Sequence, residues 1–232
     1  MKLGFALVLA ALPLVSAAPQ AADEPIRPDA WAIKLGMLVA DIPNAFAEFA
    51  CGTRGGPPGL AIAGFGEFAK CPREGDGLAE VYFRYDDELE YWARANGLPD
   101  AERFAGTKVY NFPVVLSAMI DASARVRGLR VVSDPRDRSA NRERAYQLSN
   151  FLLGRFGQEN WTCADQPALE GETPVFGAFV KRRCEQTAAT MRLSLDIHHF
   201  RKAGQAPIDP LTGQQTQGQF ESEARFEMRT RE

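Results

Sequence analysis

Four cysteines, Cys51, Cys71, Cys163 and Cys184, constrain this 232-residue chain more than any other feature. Whether they are bridged depends on the compartment, and the first residues speak to that. Lys2 supplies a short positive segment, Leu3 to Leu14 an apolar run, and Val15-Ser16-Ala17 a small-residue cleavage site. Residues 1–17 therefore read as a signal peptide, which places the protein in the periplasm of a Gram-negative cell or outside another kind of cell. Export removes the chain from reducing glutathione, and four thiols leave none over, so two disulfides are expected. Four cysteines allow three pairings. Cys51 with Cys71 and Cys163 with Cys184 close loops of nearly equal length and are the favoured pairs. Each such bridge contributes about 3 kcal/mol in the chain-entropy model. The sequence has no Cys-x-x-Cys, and a thiolate zinc site needs clustered ligands.

The apolar run near the N-terminus falls short of the roughly 20 residues that span a bilayer, and no comparable run follows. No transmembrane segment is expected in the mature chain. Residues 18–30, with Pro19, Pro25 and Pro28 among Ala, Asp and Glu, read as a disordered leader. The remaining chain, of about 200 residues, can bury roughly 70% of the surface its unfolded form exposes. Lys and Arg number 27 against 30 Asp and Glu, a net charge of −3 that becomes −4 without Lys2. That balance gives no long-range pull toward nucleic acid or anionic lipid, and nucleic acid is not an expected partner.

Along the chain, Val39, Ile42, Phe46 and Phe49 recur at threes and fours and predict a short helix ended by Cys51-Gly52. Strands are expected over Leu60 to Cys71 and Leu78 to Asp86, and a hairpin over Thr107 to Ile120 and Arg125 to Ser133. Asp134-Pro135 is a candidate helix start, although the helix could begin nearer Ser139. Leu148, Phe151, Leu152 and Phe156 form its buried stripe, and Gly157 closes it. Strands follow at Pro174 to Arg183, Met191 to Arg201 and Phe220 to Met228. The last carries a charged outer face, Glu221 to Arg229, of the kind that protects a sheet edge. Ala203 to Gln219 is a long polar loop, either mobile or a contact surface. The reading is α+β: two halves, residues 31–135 and 136–232, each a helix followed by an antiparallel meander and each with one disulfide.

The segment Leu35-Gly36-Met37, a short helix and then Cys51-Gly52 resembles the opening of the repeat in the outer-membrane SmpA/OmlA lipoproteins and the β-lactamase inhibitor protein. The inhibitor protein also has two tandem repeats with a disulfide in each. The resemblance covers residues 33–52 by motif and the rest by plan. The second half lacks Leu-Gly-Met, and no cysteine stands near the cleavage site to carry a lipid. What the resemblance implies is a binding or scaffolding role without catalysis.

Few residues could carry chemistry. Asp196 and His198 share a face of an extended strand, and His199 takes the other, so the two imidazoles meet on one metal only through a bulge. A metal-assisted hydrolase using Asp196, His198 and either His199 or Glu221 is the alternative function, beside a purely structural envelope component. Asp86, Asp87, Glu88 and Glu90 lack the glycine and spacing of a calcium loop. Tyr82, Tyr85, Tyr91 and Trp92 could make an aromatic platform for a peptide or sugar, or be core. The arginines from Arg130 to Arg144 alternate with Asp134, Asp137 and Glu143 and read as a self-neutralising face. Gly-x-Ser-x-Gly, a P-loop and His-Glu-x-x-His are absent. The expectation is a cofactor-free binding or scaffold protein whose partner is an envelope protein or a small ligand.

Overall fold

The computed structural model describes residues 30–44, 46–85, 95–97, 107–136, 143–205 and 220–231. The segments read as signal peptide and, but for Ala30, as leader, the acidic cluster at Asp86, Trp92 and most of the polar loop before Phe220 lie outside them.

Among the described residues nine strands form one antiparallel sheet: β1 (Phe46–Cys51), β2 (Ala79–Tyr85), β3 (Lys108–Val109), β4 (Phe112–Ile120), β5 (Val126–Ser133), β6 (Thr162–Asp165), β7 (Val180–Thr187), β8 (Met191–Phe200) and β9 (Glu221–Thr230). Their order is β1-β2-β4-β5-β9-β8-β7-β6, with β3 folded onto the start of β4. The sheet is continuous across residue 135 because β5 pairs with β9, from Gly128 opposite Arg229 to Val132 opposite Arg225. The helix α1 (Leu148–Arg155) packs on one face beside 3-10 turns at Ala30–Ala32, Val39–Asp41, Phe65–Lys70 and Ala145–Gln147. This is a predominantly antiparallel sheet with little helix and two disulfides.

The bridges are Cys51–Cys71 and Cys163–Cys184, the expected pairs. Each sits on an outermost strand: Cys51 ends β1, and Cys163 in β6 faces Cys184 in β7. All four residues of β6 are exposed, so this strand has little apolar burial of its own. The disulfides tack down the two edges where a sheet is weakest.

The helix expected over Val39 to Phe49 does not form. Ile42 precedes Pro43 and is held extended at φ −69° and ψ 131°, since the proline ring disfavours helical backbone before it. Phe46 to Cys51 is strand β1, with a bulge between Ala47 and Ala50 and Glu48 at φ 52°. The extra residue resets the alternation, so Phe46 and Phe49 both reach Phe65, at ring separations of 6.0 and 5.0 Å. A bulged strand thus imitated helical spacing. The strand expected over Leu60 to Cys71 is instead a bridge at Ala61 and the 3-10 turn Phe65–Lys70, which buries Phe65 against Phe83 at 5.2 Å.

The hairpin of β4 and β5 stands where expected, but its first strand is broken by a two-residue turn. Tyr110 and Asn111 lie at φ 51° and 65°, as a tight type I′ connection requires, and β3 folds back on β4. The Asp134 carboxylate accepts from the Arg136 amide at 2.9 Å in a local turn, and the alternative helix start near Ser139 lies outside the described residues. Helix α1 spans Leu148–Arg155 and is closed at Gly157, whose φ of 82° makes the left-handed stop. Leu148 and Leu152 are buried, whereas Phe151 is 49% exposed. β7 runs from Val180, because Val175 and Ala178 bridge across a turn at Phe176-Gly177. β9 is central, and the expectation of an edge strand is overturned.

The two faces of the sheet differ in chemistry. One carries Val81, Phe83, Leu116, Leu129, Val131, Leu195, Ala224 and Phe226, all buried beneath α1 and the turns. The other carries cross-strand rows of charge, such as Arg130, Glu227, Ser194 and Glu185 in register on β5, β9, β8 and β7.

Candidate functional site

On the charged face, the Arg130 side chain is 3% exposed and meets three glutamates. Its Nη1 lies 2.9 Å from Glu74 and 2.7 Å from Glu80, and its Nε donates to Glu227 at 2.6 Å. Burial alone lowers the arginine pKa, but the hydrogen bond to Glu74 and the charges of Glu80 and Glu227 outweigh it and hold the guanidinium firmly charged. Burial likewise raises the Glu74 and Glu227 carboxyls, and the charge and hydrogen bonds of Arg130 overcome it and leave both below the ordinary range. Arg229 extends the network to Asp76 at 2.6 Å and Glu227 at 3.3 Å. The cluster fastens the loop between β1 and β2 to β5 and β9.

The helix side of the molecule presents a different arrangement. Trp31 enters edge-on against Phe156 at 5.7 Å and Phe226 at 6.1 Å, and the following residues bind the start of β5 through Gly36 N–H to the Val126 carbonyl at 2.7 Å. Between residues 31–36, the end of α1 and the first residues of β8 lies a cavity of about 350 Å³. Its apolar lining is Trp31, Ile33, Leu35, Phe156, Met191 and Met228. Both methionines are unbranched and polarisable and can adjust to an occupant. The ionisable residues that line it are Lys34 and Arg155, both cationic.

Arg155 sits in the last turn of α1, where a cation is favoured by the helix dipole. Its guanidinium lies 4.4 Å over the Trp31 ring, and its Nη1 donates to the Tyr110 hydroxyl at 3.2 Å. Tyr110 stacks on Phe151 at 5.4 Å, and Phe112 lies 5.7 Å from Phe151. Tyr110 is 37% exposed and Phe151 49%. Arg155 thus touches both the pocket and an exposed aromatic ridge. A concave apolar site with few polar groups is the usual form of a small-ligand pocket.

The residues singled out from the sequence are dispersed. Asp196 accepts from Arg183 at 3.1 and 3.2 Å. His198 lies on that same face, its ring 5.5 Å from Phe200. His199 points to the core, stacked on Tyr146 at 4.4 Å and edge-on to Phe220 at 5.9 Å. Burial lowers its pKa, as does the charge of Arg201, against the opposing pull of Glu143. Glu221 pairs with Lys202 at 3.0 Å. Among the described residues no three His, Cys, Asp or Glu side chains converge on a common point. Tyr82 is buried with Ala50 and Val115, Tyr85 is described only as backbone paired with Phe46, and Trp92 lies outside the described residues. The Arg130 to Arg144 run is divided: Arg130 is interior, while Arg136 pairs with Asp134 at 2.6 Å.

Sequence reading missed the pocket because Trp31, Tyr110, Arg155 and Met228 are brought together only by folding. The one local hint was a basic residue next to an aromatic at a helix end, Arg155-Phe156. Fold and site together define a two-disulfide antiparallel sheet protein with an apolar pocket beneath its helix. No family model, no curated protein and no solved structure matches the chain.

Proposed function

We propose that this is an exported, disulfide-stapled binding protein of the cell envelope, periplasmic in a Gram-negative cell, whose ligand enters the pocket under Arg155. The observation that carries the reading is the pocket's make-up: a hollow lined mainly by apolar side chains, with Arg155 on its wall also reaching the exposed Tyr110. Two disulfides suit an oxidising compartment, and no helix among the described residues is long and apolar enough to cross a membrane. The resemblance to SmpA/OmlA lipoproteins and the β-lactamase inhibitor protein also implies binding, although the short helix of that motif is here strand β1.

The test is titration of the oxidised protein with the neutral apolar fluorophore N-phenyl-1-naphthylamine. Saturable one-site enhancement is expected, and Met191→Trp, which fills the hollow, should abolish it without lowering the melting temperature by more than a few degrees. Enhancement that does not saturate, or that survives Met191→Trp unchanged, would rule out the pocket.

A further inference from the structure

We infer that the pocket's ligand is a single-headed anionic amphiphile, a medium-chain carboxylate whose headgroup is held by Arg155 while its tail lies along Met191 and Met228. This rests on the binding function proposed above and adds the ligand's chemical class. The first support is the charge pattern. Many arginines are matched to acids, as Arg127 to Asp121, Arg136 to Asp134, Arg182 to Asp165 and Arg192 to Glu185, all within 3.2 Å, and others, such as Arg73 and Arg125, bond backbone carbonyls. Arg155 does neither. Among the described residues no carboxylate lies within ion-pairing distance of it or of Lys34, and neither Asp nor Glu lines the hollow. In a chain of net charge −3 this cationic rim is not a general property of the surface.

The second support is preorganisation. The guanidinium lies 4.4 Å over the Trp31 ring and its Nη1 donates to the Tyr110 hydroxyl, while Nε and Nη2 have no hydrogen-bond acceptor among the described residues. A planar fork held this way suits the two oxygens of a carboxylate. Lys34 is tied by its Nζ to the Trp31 carbonyl at 2.5 Å, and its ammonium retains further donors for the same headgroup. The third support is size. At about 30 Å³ per water-sized group, a hollow of 350 Å³ holds about a dozen non-hydrogen atoms, the size of a ten-carbon acid.

The experiment is calorimetric titration with three probes of one chain length: decanoate, decanol and decyltrimethylammonium. Decanoate should bind at one site at least about tenfold more tightly than decanol, a factor in keeping with a hydrogen bond to a charged group. Arg155→Gln should remove that advantage by reducing decanoate affinity far more than decanol affinity, while added salt weakens decanoate and not decanol. Because Arg155 is exposed, the variant should fold, and Lys34→Gln provides a second, smaller reduction in decanoate affinity. Equal affinity for decanoate and decanol, or preference for the ammonium probe, overturns the anionic class and leaves the pocket standing. Failure of all three probes, together with failure of the neutral fluorophore, removes the pocket reading itself.

Discussion

Replacing Arg130 by methionine should destabilise the protein strongly, and in a pH-dependent way. The substitution keeps a long apolar stem but removes the one cation shared by Glu74, Glu80 and Glu227, whose side chains are only 15, 3 and 20% exposed. Unit charges about 4 Å apart interact by roughly 4 kcal/mol at an effective dielectric constant of 20, so Glu80 would lose its cation, while Glu74 and Glu227 would keep the more exposed Arg229 at 3.9 and 3.3 Å as partial compensation. Proton uptake caps the penalty. Neutralising one carboxyl of ordinary pKa near 4.3 at pH 7 costs about 3.7 kcal/mol at 1.36 kcal/mol per pH unit. The expected loss is therefore about 3–5 kcal/mol, the range for breaking a buried ion pair from one side.

The sign of the pH dependence follows from the lowered carboxyls of Glu74 and Glu227. Their stabilisation is complete above the ordinary carboxylate pKa and is lost as pH falls through their lower folded values. Urea unfolding of oxidised wild type and Arg130→Met at pH 7 and pH 3 should show a gap that is wide at neutral pH and narrow in acid. A gap under about 1 kcal/mol at pH 7, or one that persists unchanged at pH 3, would show that the cluster does not carry the charge energy argued here.

Three further outcomes are expected. Gly52→Ala should destabilise by about 1–3 kcal/mol, since a Cβ there would meet the Glu80 side chain at 2.2 Å; a neutral effect in urea unfolding would contradict that contact. The double substitution Cys163→Ala with Cys184→Ala should lose up to about 3 kcal/mol, and amide exchange should show β6 opening while β4 and β5 stay protected. Retained protection of β6 would mean that hydrogen bonding alone holds that edge. His199, buried and favoured neutral, should make the protein less stable as pH falls below about 6.5, where the unfolded chain takes up the proton first. His199→Phe should flatten the slope of stability between pH 7.5 and 5.5, and an unaltered slope would assign that slope to other groups.

Much of the sheet was legible because its strands alternate cleanly. In β2, β8 and β9, apolar residues recur every second position, as Leu193, Leu195 and Ile197 do, and that period belongs to a pleated strand alone. The disulfide pairs were legible from compartment and loop length. The first helix was misread because the bulge at Glu48 put Phe46 and Phe49 on one side, and a three-residue spacing carries the same signature whether a helix or a bulge produces it. The central position of β9 was illegible for a related reason. Alternating charge shows that one face is polar, but not whether that face meets water or, like Glu227, a buried arginine from another strand.

The sequence by itself determined the elements whose cause is local: the period of the long strands, the stop at Gly157 and the pairing of four cysteines. Tertiary structure alone decided that β5 meets β9, that three glutamates converge on Arg130, and that Trp31 and Tyr110 hold Arg155 over an apolar hollow. The physical reason is that burial and periodicity act on neighbours along the chain and leave a pattern in it. Ion pairs, cation–π contacts and cavities are made between residues as far apart as Trp31 and Met228, and their geometry exists only once the sheet has closed between them.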